Sequence, residues 1–420
     1  MIEKRTPEIR FLEYNDDWET SDLGKMSIAF EYGLNAAAKE YDGKNKYIRI
    51  TDIDDESRVF IQTNLTSPDI AVESLTGYQL EEGDIVFART GASVGKSYIY
   101  KTSDGLVYYA GFLIRARIKS EHCAEFVFYN TLTEKYEKFI YITSQRSGQP
   151  GVNAQEYTTF EMMIPRIEEQ KKIGQYFSQI DELINLHQRK CEKLKNIRET
   201  MLEKMFPKNG CDVPEIRFKG FSSAWELHEV GEYYDFKNGL NKGKEYFGEG
   251  TPIVNFTDVF HHRGIYSQNL NGKVTLDISE IKNYEVKKGD LFFTRTSETI
   301  EEIGYPSVML DCPENTVFSG FVLRGRTILE EDPLDDLFKK YVFFTNVFRK
   351  EMIKKSSMTT RALTSGTAIK SMEFKHPVDE EEQHKIGQYF TDLDNLIELH
   401  QCKIKKLKNI KSASLKKMFV

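Results

Sequence analysis

The sequence predicts an α+β protein: two tandem, pseudo-symmetric mixed α/β modules, each followed by a long helix, with the two helices pairing as an antiparallel coiled coil. Three observations predict this. The segment EEQKKIGQYFSQIDELINLHQRKCEKLKNIRETMLEKMF, ending at Phe206, recurs as EEQHKIGQYFTDLDNLIELHQCKIKKLKNIKSASLKKMF, ending at Phe419; the offset is 213, and 24 of 38 positions are identical from Glu169 to Phe206. Shorter motifs ahead of each copy recur in the same order. Within each copy the apolar residues alternate spacings of four and three, the 3.5-residue period of a coiled-coil seam.

The first module spans 1–165 and the second 214–378. PEIRF begins at Pro7 and again at Pro214, Trp18 answers Trp225, and a Leu/Val-Gly pair stands at Gly24 and Gly231. Gly-Leu-Asn follows at Gly33 and Gly239, then Thr51-Asp52-Ile53 against Thr257-Asp258-Val259, GDIVFART from Gly83 against GDLFFTRT from Gly289, and Gly111-Phe112 against Gly320-Phe321. Short runs rich in Tyr, Phe, Val and Ile, such as KYIRITDI, DIVFART, KSYIY, GFLIRARI and GFVLRGR, are broken by Gly, Asp and Asn and read as strands and turns. Helix is expected near 124–141 and 333–355.

The long helices are placed at 166–206 and 379–420, with a Pro- and Gly-containing linker at 207–213 (PKNGCDV) that interrupts helix. Pro165 and Pro377 precede them, and Glu168, Glu169 and Glu380 to Glu382 suit a first turn that favours negative charge. The seam runs through Ile173, Phe177, Ile180, Ile184, His187, Cys191 and Leu194, and again through Ile386, Phe390, Leu393, Ile397, His400, Ile404 and Leu407. A helix of about 37 residues spans roughly 55 Å at 1.5 Å per residue, enough for a rigid spacer. The helical copies are near duplicates whereas the globular copies share only framework motifs. That contrast is expected if the helices do one job twice and each module recognises something different.

With 40% hydrophobic and 29% charged residues, the composition is that of a globular chain. The N-terminal stretch MIEKRTPEIRFLEYNDDW has no apolar run fit for a signal peptide, and no segment approaches a membrane span, so a cytoplasmic location is expected. The five cysteines are scattered with no zinc spacing, and reduced structural thiols are expected. A net charge of -7 argues against nucleic acid, because domains that grip phosphates usually show a basic excess. Locally the balance reverses: from Leu399 to Val420 there are seven lysines and no acid.

The doubled run P-x-x-EEQ-x-x-I, followed by F-x-x-x-D-x-L-I and an L-K-x-x-K/R-x-x-x-L-x-x-M-F ending, resembles the conserved regions of type I restriction-modification specificity subunits. GDIVFARTGASVGK and SQRSGQPGVNAQEY resemble that family's target recognition domains. The resemblance implies a non-catalytic subunit in which each module reads one half of an asymmetric bipartite double-stranded DNA site, the gap being set by the helical spacer. It implies two modification subunits that methylate adenine, ATP-dependent restriction subunits, and S-adenosylmethionine, ATP and Mg on those partners rather than here. The near-identical helices are then the expected docking surface for two identical partners. Module two replaces TGASVGK with TSETIEEIG and SGQPGVN with TRALTSG, so different half-sites are expected.

Base readout needs Arg for guanine and Asn or Gln for adenine, with hydroxyls and Lys on phosphates. Loop residues of these types are Arg89, Thr90, Ser93, Lys96, Arg146, Gln149 and Asn153 in module one, and Arg295, Thr296, Thr299, Thr360, Arg361 and Thr364 in module two. Arg89 and Arg295, at the same place in both modules, also fit framework ion pairs or phosphate contacts. GASVGKS at Gly91 to Ser97 is one residue short of a phosphate-binding loop. Asp277 with Glu285-Val286-Lys287 only loosely suggests a nuclease cluster. No Asn-Pro-Pro-Phe/Tyr or Asp-Pro-Pro-Tyr run of an aminomethyltransferase is present. His187 and His400 at equivalent seam positions are expected to fix register rather than bind metal. A tandem protein-interaction scaffold is the alternative reading, and a nuclease or NTPase acting alone a more distant one.

Overall fold

The structure, a computed structural model, describes residues 6–146 and 148–420. The chain forms two compact units: residues 1–189 with 401–420, and residues 190–400. The long helices Ile167–Lys204 and Glu380–Met418 each give one half to either unit, so each unit contains a module, the start of its own long helix and the end of the other.

In the first unit an antiparallel sheet runs Ser27–Tyr32, Leu113–Ile118, Ile85–Ala88, Ser97–Ile99 in spatial order. Its central strand, IVFA, is buried at every position, as expected for a strand covered on both faces. A parallel pair, Lys46–Ile48 with Val107–Tyr109, adds a second layer. The ribbon Glu19–Asp22 with Glu161–Ile164 delivers the chain into the long helix.

The second unit repeats this plan. Tyr234–Asn238, Val322–Thr327, Leu291–Thr294 and Pro306–Met309 follow the same order, with Gly264–Ile265 added in parallel at the edge. Glu226–Glu229 pairs with Glu373–His376 ahead of the second long helix.

The helical stretches expected at 124–141 and 333–355 are each two helices: Ala124–Asn130 then Glu134–Thr143, and Asp336–Val342 then Asn346–Lys355. The break has one cause in both. Thr133 and Thr345 cap the second helix, their hydroxyls accepting from the N–H of Tyr136 and Phe348, the usual work of an N-cap.

Framework motifs shared by the two modules turn out to be structural joints. Asp84 is buried and takes Arg117 through two bonds of 2.9 Å; Asp290 takes Arg326 at 2.7 and 2.6 Å. The Asp84 carboxylate raises the Arg117 guanidinium above its ordinary value. The glycine of Gly-Leu-Asn is needed for close approach: a Cβ on Gly33 would lie 2.2 Å from the Ala110 oxygen, and one on Gly239 2.2 Å from the Ser319 oxygen.

Within each unit the two helix segments run antiparallel. In the first, Tyr176 meets Ser414 and Asp181 meets Lys411, while Phe177 stacks on Phe419. In the second, Arg198 meets Asp394 and Phe206 packs on Phe390. Phe419 and Phe206 each sit under their module: Phe419 on Phe126 at 5.4 Å, and Phe206 on Phe338 at 5.7 Å and Trp225 at 5.7 Å. Of the seam residues, Ile173, Phe177, Ile180, Ile184, Cys191, Ile386, Phe390, Leu393 and Ile397 are buried, whereas Leu194, Ile404, Leu407, His187 and His400 are partly so.

Candidate nucleic-acid interface

In each module the sheet brings three loop segments to one edge. In module one the N–H of Arg89 donates to the Phe112 carbonyl at 3.0 Å, and the Arg89 carbonyl accepts from Val152 at 2.9 Å. Thr90 bridges Gly151, and the Gly91 N–H donates to Pro150 at 3.0 Å. The 89–95 loop, the Gly111-Phe112 turn and the 150–152 segment are thereby held in register.

Module two repeats the joint with other residues. Arg295 donates to the Phe321 carbonyl at 2.9 Å, and its own carbonyl accepts from Thr364 at 3.0 Å. Thr296–Ser297 pairs with Ala362–Leu363, which closes a hairpin with Ser357–Met358.

The candidates divide by where their side chains go. The Arg89 guanidinium lies 5.0 Å from the Tyr32 ring and 5.9 Å from the Phe112 ring, and among the described residues no carboxylate pairs with it. A cation near two rings sits at this edge instead of the framework ion pair that the repeat also allowed. Arg295 uses one donor on the Gly320 carbonyl at 3.4 Å. Arg361 stands exposed at the tip of the hairpin beside exposed Thr360, and Thr299 is exposed at the start of a 3-10 turn. Gln149 is exposed; Thr90, Ser93 and Thr296 are half-buried.

Four candidates serve the fold. Lys96 is 6% exposed, donates to the Ile53 carbonyl at 3.0 Å and pairs with Asp55, so its charge points inward. Thr364 is 2% exposed. Asn153 caps the helix Ala154–Thr158 in a reciprocal box with Glu156. Arg146 donates to the Thr143 and Gln145 carbonyls at 2.9 Å and pairs with Glu156, bracing the segment that Asn153 caps.

The loop resembling a phosphate cradle is also internally satisfied. The N–H groups of Val94, Gly95 and Lys96 donate to Gly91, Ala88 and Ser93, and the Tyr136 hydroxyl donates to the Gly95 carbonyl at 2.9 Å. Phosphate binding needs such N–H groups free and converging. The counterpart loop of module two is held by Arg349, which donates to Glu301 and Gly304 carbonyls at 2.7 Å and to Ile303; burial pushes that guanidinium down to about 10.

Asp277 caps the helix Ile278–Asn283 and forms no cluster with Glu285. Among the described residues no group of three or more His, Cys, Asp or Glu is placed to hold a metal ion. No helix among them is long and apolar enough to cross a membrane.

Three exposed aromatic residues at this edge escaped the sequence reading. Tyr32, Phe112 and Phe321 are 44%, 62% and 56% exposed. The recurring Gly-Phe pair was visible, but it read as framework because a phenylalanine after a strand turn is expected inside.

The family model described as "Type I restriction modification DNA specificity domain" matches residues 15–196 and again 223–409. The type I restriction enzyme MjaVIII specificity subunit of Methanocaldococcus jannaschii is 22% identical over 404 residues, 94% of this chain and 91% of that protein. A putative type I restriction enzyme MjaX specificity subunit of the same organism is 24% identical over 254 residues, 58% of this chain and 60% of that protein.

In fold, the chain is similar to the S subunit of a type I restriction-modification system from M. genitalium, with a TM-score of 0.65, 15% identity and 99% of both chains covered. It is also similar, at TM-score 0.50 and 17% identity over 96% of this chain and 97% of the other, to a chain from a structural study of complex assembly and conformational transition of the type I R-M system. With two copies of the family domain, each built on the same sheet and ending in the same helix, the chain belongs to the type I restriction-modification DNA specificity family and is a non-catalytic specificity subunit.

Proposed function

We propose that the chain reads an asymmetric bipartite site on double-stranded DNA, one half-site per module, and docks two identical adenine methyltransferase subunits together with ATP-dependent restriction subunits in the cytoplasm. One observation carries this reading: the same three loop segments meet at one edge of both modules through equivalent backbone bonds, yet present different side chains. A common frame with variable contents is what two recognition surfaces of one kind require, because phosphate contacts position a protein while base contacts specify.

The docking half of the proposal rests on the helices. Leu183 and Leu186 are 45% and 38% exposed in the first unit; Leu396 and Leu399, at the same repeat positions, are 44% and 47% exposed in the second. They flank buried seam residues rather than forming the seam. An apolar pair presented twice suits one partner bound twice. S-adenosylmethionine, ATP and Mg belong on those partners.

The test is strand-resolved sequencing of N6-methyladenine in host DNA with and without the gene. A bipartite motif that disappears on deletion is expected. An unchanged methylome, with the cognate methyltransferase expressed, would favour a protein-interaction scaffold instead.

A further inference from the structure

Phe112 and Phe321 are solvent-facing phenylalanines at the same turn of the two modules, 62% and 56% exposed, each followed within two residues by a fully buried strand residue, Leu113 and Val322. Neither ring serves the core. Among the described residues the one ring or cation neighbour of Phe112 is the Arg89 guanidinium, 5.9 Å from its ring centroid, and Phe321 has none. Each carbonyl nevertheless fixes the arginine beside it, at 3.0 Å for Arg89 and 2.9 Å for Arg295. The result is a solvent-facing ring and an arginine joined through the same backbone bond, twice, with the guanidinium reaching the ring in module one.

Resting on the function proposed above, we propose that Phe112 and Phe321 are base-contacting residues, each laying its ring against the C5 methyl of a thymine in the major groove of its half-site. The groove follows from chemistry. Guanine O6 and N7, which suit arginine, and the thymine methyl, which suits an apolar ring, are both displayed in the major groove, while the minor groove presents no methyl. A ring that stays in water in the free protein then becomes buried only on cognate DNA. The flanking residues differ between modules: Tyr32 stacks on Arg89, whereas the matching position of module two is Asn238. The ring is therefore a shared element inside two different recognition surfaces.

The experiment uses the full chain co-purified with its methyltransferase partner and a duplex carrying the motif read from the methylome, with thymines replaced one at a time by uracil, which removes only the methyl. Wild type is expected to lose about three- to fivefold in affinity at one thymine of each half-site, the effect of one buried methyl. Phe112→Ala is expected to bind the intact site at least about tenfold more weakly and to ignore uracil in its own half-site while still sensing it in the other. Phe321→Ala should show the reverse pattern, and Phe→Leu at either position should restore most of the affinity.

Alanine variants that melt like wild type and bind like it would overturn the inference, as would uracil effects of equal size in variant and wild type. A wild-type complex with no preference for a bipartite motif would overturn the proposed function, and this inference with it.

Discussion

The carboxylate of Asp394 accepts the Arg198 guanidinium at 2.8 Å on one oxygen and the Tyr341 hydroxyl at 2.8 Å on the other. The first unit repeats the joint with a lysine: Asp181 accepts Lys411 at 2.6 Å and Tyr129 at 2.9 Å. One carboxylate thus ties a module to its own long helix and that helix to the end of the other. Burial and the adjacent carboxylate push both phenols up, so each donates at any physiological pH. Asp394→Asn is expected to destabilise the second unit by about 1–3 kcal/mol, as expected for a part-buried hydrogen-bonded charge, and Asp181→Asn the first by a similar amount. Domain-resolved hydrogen exchange or urea unfolding measures both.

His376 gives the second unit a pH dependence. It is 3% exposed; its Nε2 lies 2.9 Å from the Tyr233 hydroxyl and its Nδ1 3.0 Å from the Pro377 carbonyl. A neutral ring protonated on Nδ1 satisfies both. Burial lowers its pKa below the ordinary 6.5. The unfolded chain therefore takes up a proton near pH 6.5 that the folded chain still refuses, and stability falls as pH drops from there to the folded value. The slope is at most about 1.4 kcal/mol per pH unit. Urea midpoints should be flat above pH 6.5 and fall below it, and His376→Gln should remove that component.

Arg361 was expected at a base and Lys96 at a phosphate, but Arg361 is exposed whereas Lys96 is buried. Arg361→Ala should weaken specific binding about tenfold and relax one position of the second half-site, the effect of losing one base contact. Lys96→Ala should leave the salt dependence of binding unchanged and destabilise the first unit by about 1–3 kcal/mol through its orphaned carbonyl and lost packing. Methylation-motif sequencing and melting of the two variants separate these outcomes.

The exposed leucines make a stoichiometric prediction. Leu183→Glu with Leu186→Glu should leave one methyltransferase bound instead of two, and Leu396→Glu with Leu399→Glu should do the same. All four together should leave none. Mass measurement of the purified complex reads this directly. Two partners retained by the fourfold variant would move docking off these helix faces.

Much of the architecture was written in the repeat. The seam through Phe177 and Phe390 and the order of the repeats follow from apolar spacing and from the 213-residue offset, because periodicity is a property of the chain itself, whereas the antiparallel sense of the helix pairs is read from their contacts. The splitting of the helices at Thr133 and Thr345 is a local capping signal too, masked by the apolar content around it.

The recognition edge was only half legible. Residue type nominated Arg361, which is exposed, and Arg89, which is half-buried beside two rings, but equally nominated Lys96 and Thr364, which face inward, and it passed over Phe112 and Phe321. Composition states what a side chain can do. Whether it does so depends on which face of a strand or turn it leaves, and that is decided by partners far along the chain, such as Ile53 and Asp55 for Lys96 or Met352 for Thr364. Local spacing reaches a few residues. The bonds that aim these side chains join residues 12 to 43 positions apart, so only the assembled sheet and its packed helices could settle which groups meet the solvent.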